Sequence, residues 1–472
     1  MSFPKYPEYK DSGVEWLGEV PAHWQVKRMR FVATLNPSKS EVRHWPDTAE
    51  VSFIPMEAVG EDGSLDLTQT RPLGEVVGGY TYLSEGDVTF AKITPCFENG
   101  KGAIMQGLCE GVGFGTTELT VARPDTSQVT GGYLYRVISS RPFRELGESH
   151  MYGAGGQKRV PDDFLRNFEL AWPPVPEQAS IAAFLDHETS RIDALVEQQQ
   201  CLIELLKEKR QAVISHAVTK GLDPDVPMKD SGVEWLGEVP AHWNVVALRR
   251  VLKRIEQGWS PECFNFPADE GAWGVLKAGA VNNGIYREDE NKALPEGVEP
   301  RSNIEVMAGD LLMCRASGSP DLIGSAAYVG ATRPMIMLSD KIFRLVVREG
   351  TCPEFVSLAL GSIPLRRQIE LSINGAEGLA NNLSQSSIKN LKIALPPMLE
   401  QRQIMSATTG ILDGLKKQLD LAADTVELLQ ERRSALISAA VTGKIDVRGW
   451  KAEQHFEQPE VLMAAEERAT YV

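Results

Sequence analysis

EQASIAAFLDHETSRIDALVEQQQCLIELLKEKRQAVISHAVT, residues 177–219, is the stretch that decides the fold. Its apolar side chains recur at three- and four-residue steps, with some positions skipped, which predicts a long helix with a narrow apolar seam. A second stretch, 400–442, carries the same pattern. Because so narrow a seam needs a partner helix, we predict that the two helices pair within one chain. The predicted packing residues are Ile181, Leu185, Ile192, Leu195, Leu202, Leu206 and Val213 in the first helix, and Ile404, Ile411, Leu415, Leu419, Val426, Leu429 and Leu436 in the second.

Both predicted helices begin in the same way. A double proline precedes each, at 173–174 and at 396–397, and a glutamate follows, Glu177 or Glu400. Proline suits the approach and first turn of a helix, and a glutamate places negative charge at its positive N-terminus. A glycine follows each helix, as a C-terminal stop would. Two ordinary core helices are the alternative, but the matched register favours a pair.

The chain is predicted to be an internal duplication. KDSGVEWLGEVPAHW occurs twice without a change, at 10–24 and at 229–243, and a weaker match joins 165–170 to 388–393. Segment, globular unit and long helix therefore occur twice in the same order. If the helices pair antiparallel about a pseudo-two-fold axis, each globular unit lies at the start of its own helix and the two ends of the chain are neighbours.

The globular units, roughly 25–172 and 244–395, are rich in glycine and in short alternating runs. This pattern predicts a mixed α/β fold with many short strands. Between the repeated landmarks the units differ: TPCFEN at 94–99 has no counterpart in SGSPDL at 317–322. A shared scaffold with divergent loops is typical of two binding units with two targets, and neutral drift of one copy is the alternative.

Composition narrows the class of protein. A length of 472 residues predicts two to four domains, and a net charge of −15 argues against tight nucleic-acid binding by the chain alone. The six cysteines are scattered, as in a reducing compartment. Because the N-terminus lacks a secretory pattern and no apolar run is long enough to span a membrane, we predict a cytoplasmic protein.

No catalytic or metal-binding motif stands out. GAGGQK at 153–158 resembles a phosphate-binding loop but lacks the Gly-Lys-Ser/Thr ending. The double prolines lack the polar residue that begins the Pro-Pro motif of amino-methyltransferases. The histidines and cysteines show no metal-ligand spacing, and His23 and His242 lie inside the identical repeat, where we predict a structural role. The chain is therefore predicted to be non-catalytic and to hold no metal.

The whole pattern resembles the specificity (S) subunits of Type I restriction-modification enzymes over about residues 10–447. The resemblance rests on the GVEWLGEVPAHW opening, a Gly-Asp pair in each unit and Pro-Pro-x-x-Glu-Gln at each helix start. It implies two target recognition domains that each read one half of a bipartite site in double-stranded DNA. It also implies an antiparallel coiled coil that sets the spacer and docks two DNA methyltransferase (M) subunits, while restriction (R) subunits join for cleavage. S-adenosylmethionine, ATP and Mg would then belong to these partners.

The resemblance divides the chain into five predicted segments. They are a first target recognition domain at 1–172, a helix and linker at 173–228, a second target recognition domain at 229–395, a second helix at 396–447, and an acidic tail at 448–472. A rod-like protein–protein adaptor without a DNA role and an unrecognised stand-alone enzyme stay open as alternatives.

Base-reading residues are expected after the shared landmarks. Lys92 and Arg315 each lie six residues past the glycine of a Gly-Asp pair. Arginine and lysine favour guanine edges, whereas asparagine and glutamine favour adenine. Ordinary polar loop residues are the alternative for each position. The candidates are Lys92, Gln157, Lys158 and Arg159 in the first unit, and Arg315, Asn381 and Asn382 in the second.

Overall fold

A computed structural model describes residues 3–154, 156–373 and 382–451. The chain forms two compact units. The first unit comprises Met1–Gln199 and Thr425–Val472, and the second comprises Gln200–Asp424. Each unit therefore contains one globular part and a portion of both long helices.

The globular part of the first unit is mixed α/β. The strands are β1 Tyr9–Asp11, β2 Glu19–Pro21, β3 Gln25–Arg28, β4 Ala33–Leu35, β5 Glu50–Ile54, β6 Thr70–Pro72, β7 Thr81–Ser84, β8 Val88–Ala91, β9 Gly102–Ile104, β10 Val112–Gly115, β11 Leu119–Pro124 and β12 Glu169–Trp172. Two four-stranded sheets, in the orders β6-β5-β10-β7 and β4-β11-β8-β9, form the centre of this part. Neighbouring strands in these sheets are antiparallel except β5 and β10, which are parallel. The helices are α1 Leu73–Val76, α2 Gly131–Ile138, α3 Arg141–Ser149 and α4 Asp162–Asn167, and the first long helix is α5 Val175–Thr219.

The globular part of the second unit has a closely related topology. The strands are β13 Met228–Asp230, β14 Glu238–Pro240, β15 Asn244–Ala247, β16 Leu252–Gln257, β17 Gly274–Leu276, β18 Val281–Asn282, β19 Ile285–Tyr286, β20 Asn291–Ala293, β21 Leu311–Cys314, β22 Ala326–Tyr328, β23 Ile336–Met337, β24 Ile342–Val347 and β25 Lys392–Leu395. One sheet has the four-stranded order β16-β24-β21-β22, and the other has the three-stranded order β20-β17-β23, in which β17 and β23 are again the parallel pair. The helices are α6 Leu248–Val251, α7 Pro353–Leu360, α8 Ile363–Glu370 and α9 Gln385–Asn390, and the second long helix is α10 Met398–Val441. The predicted mixed α/β class is confirmed.

The two long helices begin and end within two residues of the predicted positions. Gly221 and Gly443 follow them with φ angles of 79° and 72°. Only glycine adopts this left-handed conformation without strain, which makes it the usual residue just past a helix C-terminus. The chain therefore leaves both helices in the same way.

Within each unit the start of one long helix packs with the end of the other. In the first unit, Ile181, Leu185 and Ile192 share a buried core with Leu436. The Nε of Arg433 also lies 2.8 Å from Oδ1 of Asp193. In the second unit, the core instead joins the last turns of α5 to the first turns of α10. The helices thus pair antiparallel in both units, which fits a coiled coil.

The predicted seam was wrong by one residue at three positions. From Ile192, which is buried, the apolar seam continues to the half-buried Val196 and Ile203, in steps of four and seven. The prediction used steps of three and seven instead, and both choices satisfy a heptad, so the spacing alone could not distinguish them. The three misplaced residues are 45%, 42% and 51% exposed: Leu195, Leu202 and Ile411. The others are buried or half-buried: Ile181, Leu185, Ile192, Leu206, Val213, Ile404, Leu415, Leu419, Val426, Leu429 and Leu436.

The two ends of the described chain are neighbours within the first unit. The backbone N–H of Asp446 donates to the carbonyl of Pro4 at 2.8 Å. Most of the predicted acidic tail, 452–472, lies outside the described residues. Among the helices of the described part of the chain, none is long and apolar enough to cross a membrane.

Candidate nucleic-acid interface

In the first unit, hydrogen bonds join the repeat at 10–24 to the first turn of α5. Oε1 of Glu177 accepts hydrogen bonds from Nε1 of Trp24 at 3.0 Å and from the hydroxyl of Tyr6 at 2.7 Å. Oε2 lies 2.7 Å from Nε2 of His23. Burial, followed by the hydrogen bond to Glu177, raises the pKa of Tyr6 far above its usual value. His23 is thus structural, as predicted.

The second unit repeats this arrangement. Glu400 accepts from Nε1 of Trp243 at 2.9 Å and lies 2.8 Å from Nε2 of His242. His242 is therefore structural as well. The glutamate of each Pro-Pro-x-x-Glu-Gln motif thus binds the copy of the identical repeat in its own unit.

The glutamine of the same motif satisfies the backbone around each helix start. Nε2 of Gln178 donates to the carbonyl of Pro173 at 2.9 Å, and its Oε1 accepts from the N–H of Thr130, just before α2. Gln401 donates to the carbonyl of Pro396 at 2.8 Å and accepts from the N–H just before α7. The helix starts and the globular parts are therefore fixed to each other inside each unit.

The Gly-Asp landmarks hold the central strands in place. Both oxygens of Asp87 accept from Arg123, at 2.7 and 2.9 Å, which raises the pKa of this arginine. In the second unit, Oδ2 of Asp310 accepts from Nε of Arg344 at 2.9 Å. Both aspartates act structurally, at the start of the strands β8 and β21 that lead to the candidate residues.

In the first unit, three segments meet at the end of β8. The N–H of Lys92 donates to the carbonyl of Glu118, and the carbonyl of Lys92 accepts from the N–H of Val160, both at 2.9 Å. Thr94 and Lys158 exchange further hydrogen bonds, one of them from the N–H of Lys158 to Oγ1 of Thr94 at 2.9 Å. The structure thereby brings together all four candidates of this unit: Lys92, Gln157, Lys158 and Arg159.

Arg159 forms a two-bond ion pair with Glu118. Its Nε lies 2.9 Å from Oε2 and its Nη2 lies 2.7 Å from Oε1. The hydrogen bond from Arg159 is the largest effect on Glu118 and lowers the pKa of that carboxyl, and it raises the pKa of the guanidinium. The side chains are 37% and 28% exposed, so the pair lies at the surface of the site.

In the second unit, the corresponding segments meet in the same way at the end of β21. The N–H of Arg315 donates to the carbonyl of Lys341, and its own carbonyl accepts from the N–H of Leu383, both at 2.8 Å. Asn382 forms an isolated β-bridge with Ala316, the residue that follows Arg315. Arg315 and Asn382 are thus brought together, whereas the candidate Asn381 lies outside the described residues.

Arg315 itself is partly buried. Its guanidinium carbon lies 5.2 Å from the ring centre of Phe343, at the distance of a cation–π contact. Its Nε is buried and, among the described residues, has no hydrogen-bond partner.

We term the two sites the first and second polar clusters. The first is formed by Lys92, Glu118 and Arg159, and the second by Arg315, Lys341 and Asn382. The backbone hydrogen bonds and bridges show which positions of the two clusters correspond: Lys92 to Arg315, Glu118 to Lys341, and Arg159 to Asn382. A carboxylate and an arginine in one cluster are thus replaced by a lysine and an amide in the other.

Glu118 and Lys341 were missed in the sequence. Each precedes a central strand, β11 or β24, and carries no motif of its own. Equal spacing is the signal that could have found them, because each lies 26 residues after the basic candidate of its unit. Lys341 is about half exposed, and its Nζ lies 3.6 Å from Oδ2 of Asp340.

The clusters offer hydrogen-bond donors and acceptors at the surface. Within residues 3–154, 156–373 and 382–451, no group of three or more histidine, cysteine or acidic side chains is arranged to hold a metal ion. Guanidinium, ammonium and amide groups are the side chains that contact phosphates and base edges in protein–DNA complexes.

Comparison with known proteins defines the class to which the chain belongs. No family model matches it. The EcoEI specificity subunit of Escherichia coli is 32% identical in an alignment that covers 86% of this chain and 81% of that protein. The EcoAI specificity subunit of Escherichia coli is 41% identical over 189 residues, 40% of this chain and 31% of that protein. The putative MjaX specificity subunit of Methanocaldococcus jannaschii is 22% identical and covers 95% of this chain and 99% of its own length.

A solved structure shares the fold. It concerns complex assembly and conformational transition of the type I R-M system, and one of its chains superposes with a TM-score of 0.67 at 17% identity, covering 89% of this chain and 98% of that chain. The similarity in sequence thus defines a protein of DNA restriction systems that is itself non-catalytic, and the solved structure shows that the fold is shared. The chain belongs to the Type I restriction enzyme specificity subunits.

Proposed function

We propose that this chain reads DNA for a Type I restriction-modification complex, and that each globular part reads one half of a bipartite site. One observation carries the proposal: two equivalent polar clusters occur on the same scaffold but present different side chains. Sequence is read by a few side chains that reach base edges. Different side chains at equivalent positions therefore favour two different half-sites. In this proposal residues 1–172 and 229–395 are the target recognition domains.

Partner subunits supply the remaining contacts in this proposal. The chain carries a net charge of −15, which opposes tight binding to a polyanion. Methyltransferase subunits, with S-adenosylmethionine, would add phosphate contacts and the reaction, and restriction subunits would join for cleavage. The complex would act in the cytoplasm. The internal duplication, which provides the identical repeat, the globular scaffold and the long helix twice, favours two methyltransferase subunits for each chain.

Exposed leucines on α5 support docking of these partners along the helix. Leu195, Leu202 and Leu205 follow one another at steps of seven and three residues and are between 42% and 57% exposed. Steps of this size keep side chains on one side of a helix. A row of exposed apolar side chains is typical of a protein interaction site. We therefore assign residues 173–228 and 396–447 to spacing and docking.

The decisive experiment exchanges one globular part. Residues 25–172 are replaced by the equivalent part of a related specificity subunit, and the methylated motif is mapped by sequencing DNA from cells that express the whole system. One half of the motif should change while the other half stays the same. The matched exchange of residues 244–395 should change only the other half. If either exchange changes both halves, or neither half, the chain does not read DNA with two independent units.

A further inference from the structure

We infer that Arg159 reads a guanine in the half-site of the first unit, and that Glu118 is the residue that positions it. The inference rests on the proposed function and deepens it, because it assigns a base to one side chain. Neither residue belongs to a recognised motif. What connects them is the geometry of their ion pair.

The ion pair occupies only one edge of the guanidinium group. Nε and one N–H of Nη2 of Arg159 point at the two carboxylate oxygens of Glu118, at 2.9 and 2.7 Å. A guanidinium group has five N–H donors in a planar fork. The end formed by Nη1 and the second N–H of Nη2 therefore remains available, and among the described residues Nη1 has no partner.

That free end has the geometry that guanine requires. Guanine presents two acceptors in the major groove, O6 and N7, and two parallel N–H groups of arginine bind both at once. No other base offers two adjacent acceptors at this edge. The side chain of Arg159 is 37% exposed, so a base can reach it.

Arg159 is held at its backbone and at one edge of its guanidinium group before any DNA binds. Its backbone is paired on two sides, with Ile93 and with Tyr152, and the hydrogen bonds to Tyr152 measure 2.8 and 3.1 Å. Glu118 holds the guanidinium through Nε and Nη2. A side chain that is already ordered loses less entropy on binding, so more of the contact energy becomes affinity.

The second polar cluster provides an independent comparison. The residue equivalent to Arg159 there is Asn382, and the residue equivalent to Glu118 is Lys341. The acid is thus present in the cluster that has an arginine at this position, and a lysine replaces it in the cluster that has an asparagine there and carries its arginine, Arg315, at the position of Lys92. Such a pairing is expected if the carboxylate serves the arginine. It is not expected if Glu118 is merely one of many surface acids.

The test uses the complete complex of this chain with its methyltransferase subunits. The complex methylates a library of randomised DNA, and sequencing gives the base preference at every position of both half-sites. Arg159→Lys keeps the charge but removes the fork, so the preference for guanine at one position should fall about 5- to 150-fold, as expected for a bidentate contact. Glu118→Gln should weaken the preference at the same position by a smaller factor, and Glu118→Asp, which keeps the carboxylate, should weaken it least.

A matched ion pair outside the cluster serves as control. Arg141 and Glu145 form an exposed pair on α3 in the same unit, with Nε and Oε1 2.6 Å apart. Glu145→Gln should leave the motif unchanged. Co-purification of the subunits and an unchanged other half-site show that each variant still folds and assembles.

Three results would overturn the inference. The first is that the half-site read by the first unit contains no guanine, and the second is that the guanine preference is unchanged in Arg159→Lys. The third is that Arg159→Lys lowers methylation uniformly at all sites, which would mark a phosphate contact. The exchange of residues 25–172 separates this failure from that of the proposed function. If the exchange moves the half-site but Arg159→Lys does not alter it, only the assignment of Arg159 is wrong.

Discussion

The indole nitrogen of Trp24 donates a hydrogen bond of 3.0 Å to Oε1 of Glu177, and a bond of 2.9 Å joins Trp243 to Glu400 in the same way. Both tryptophans are fully buried and come from the identical repeat, whereas both glutamates stand in the first turn of a long helix. Each copy of the repeat thus closes the junction between a globular part and its helix.

The two junctions should differ in their contribution to stability. Glu177 is buried and also accepts from Tyr6, whereas the side chain of Glu400 is 25% exposed. Glu177→Ala leaves two buried donors without an acceptor and should lower the free energy of unfolding by about 2–4 kcal/mol. Glu400→Ala should cost less, because it leaves only one buried donor, Trp243, without an acceptor, and water can enter the space of a side chain that is partly exposed. Urea unfolding followed by tryptophan fluorescence measures both, and equal costs would contradict this account.

The helices were predictable because their signals are local and occur twice. Double prolines, a following glutamate and a terminal glycine mark the ends of α5 and α10, and each end was predicted to within two residues. The seam was less certain, because Leu195 and Val196 both satisfy heptad spacing. Only packing against the globular part and the partner helix decides between them, and that information is not local.

The polar clusters were predictable only in part. Lys92 and Arg315 could be found because they follow the same landmark at the same distance. Glu118 and Lys341 could not be found by motif, because their position depends on the pairing of β8 with β11 and of β21 with β24. Strand pairing across the sheet is a long-range property, so it places residues together that no local pattern connects.

Acid should selectively weaken the ion pair of the first polar cluster. The hydrogen bond from Arg159 lowers the pKa of Glu118, so the folded state holds this carboxylate ionised below the unfolded value of about 4.3. Its stabilising contribution is therefore complete above about pH 4.3 and is lost as the pH falls through the lowered pKa of the folded state.

Urea unfolding of the wild type and of Arg159→Ala measures this effect. Because both side chains are partly exposed, the variant should lose less than about 1 kcal/mol at neutral pH. The difference between the two proteins should shrink below about pH 4. A difference that stays constant as the pH falls further below about 4 would show that the ion pair of Glu118 with Arg159 does not stabilise the folded chain.

Exposed and half-buried side chains of α5 should have different roles. Leu202 and Leu205 are 42% and 57% exposed, whereas the neighbouring Ile203 is half-buried on the seam. Leu202→Ser and Leu205→Ser should each weaken binding of the methyltransferase subunits about tenfold, as expected for the loss of an apolar side chain of this size. Their unfolding should be nearly unchanged. Ile203→Ser, the matched control, should destabilise the chain itself.

Titration of the chain with purified methyltransferase subunits, monitored by calorimetry, measures the affinities. Unaltered binding by both leucine variants would remove this face of α5 from the docking surface. A loss of binding that accompanies a loss of stability would assign the leucines to packing instead.

The paired helices should act as a ruler. An α-helix rises ~1.5 Å per residue, so the 45 residues of α5 span about 68 Å. Gln200 marks the point where α5 passes from the first unit to the second, so an insertion there lengthens the connection without entering either globular part. Four inserted residues add ~6 Å and about one helical turn, which nearly keeps the seam in register. With base pairs ~3.4 Å apart, the unread spacer should widen by about one base pair while both half-sites stay unchanged.

A two-residue insertion at the same point is the control. It would rotate the seam by about 200° and should abolish assembly, because the apolar stripe would then face away from its partner helix. Methylation motifs mapped in cells that carry each variant decide the outcome. A four-residue variant that remains active with the original spacer would show that the helices do not measure the DNA site, and an active two-residue variant would show that the seam does not hold the helices in register.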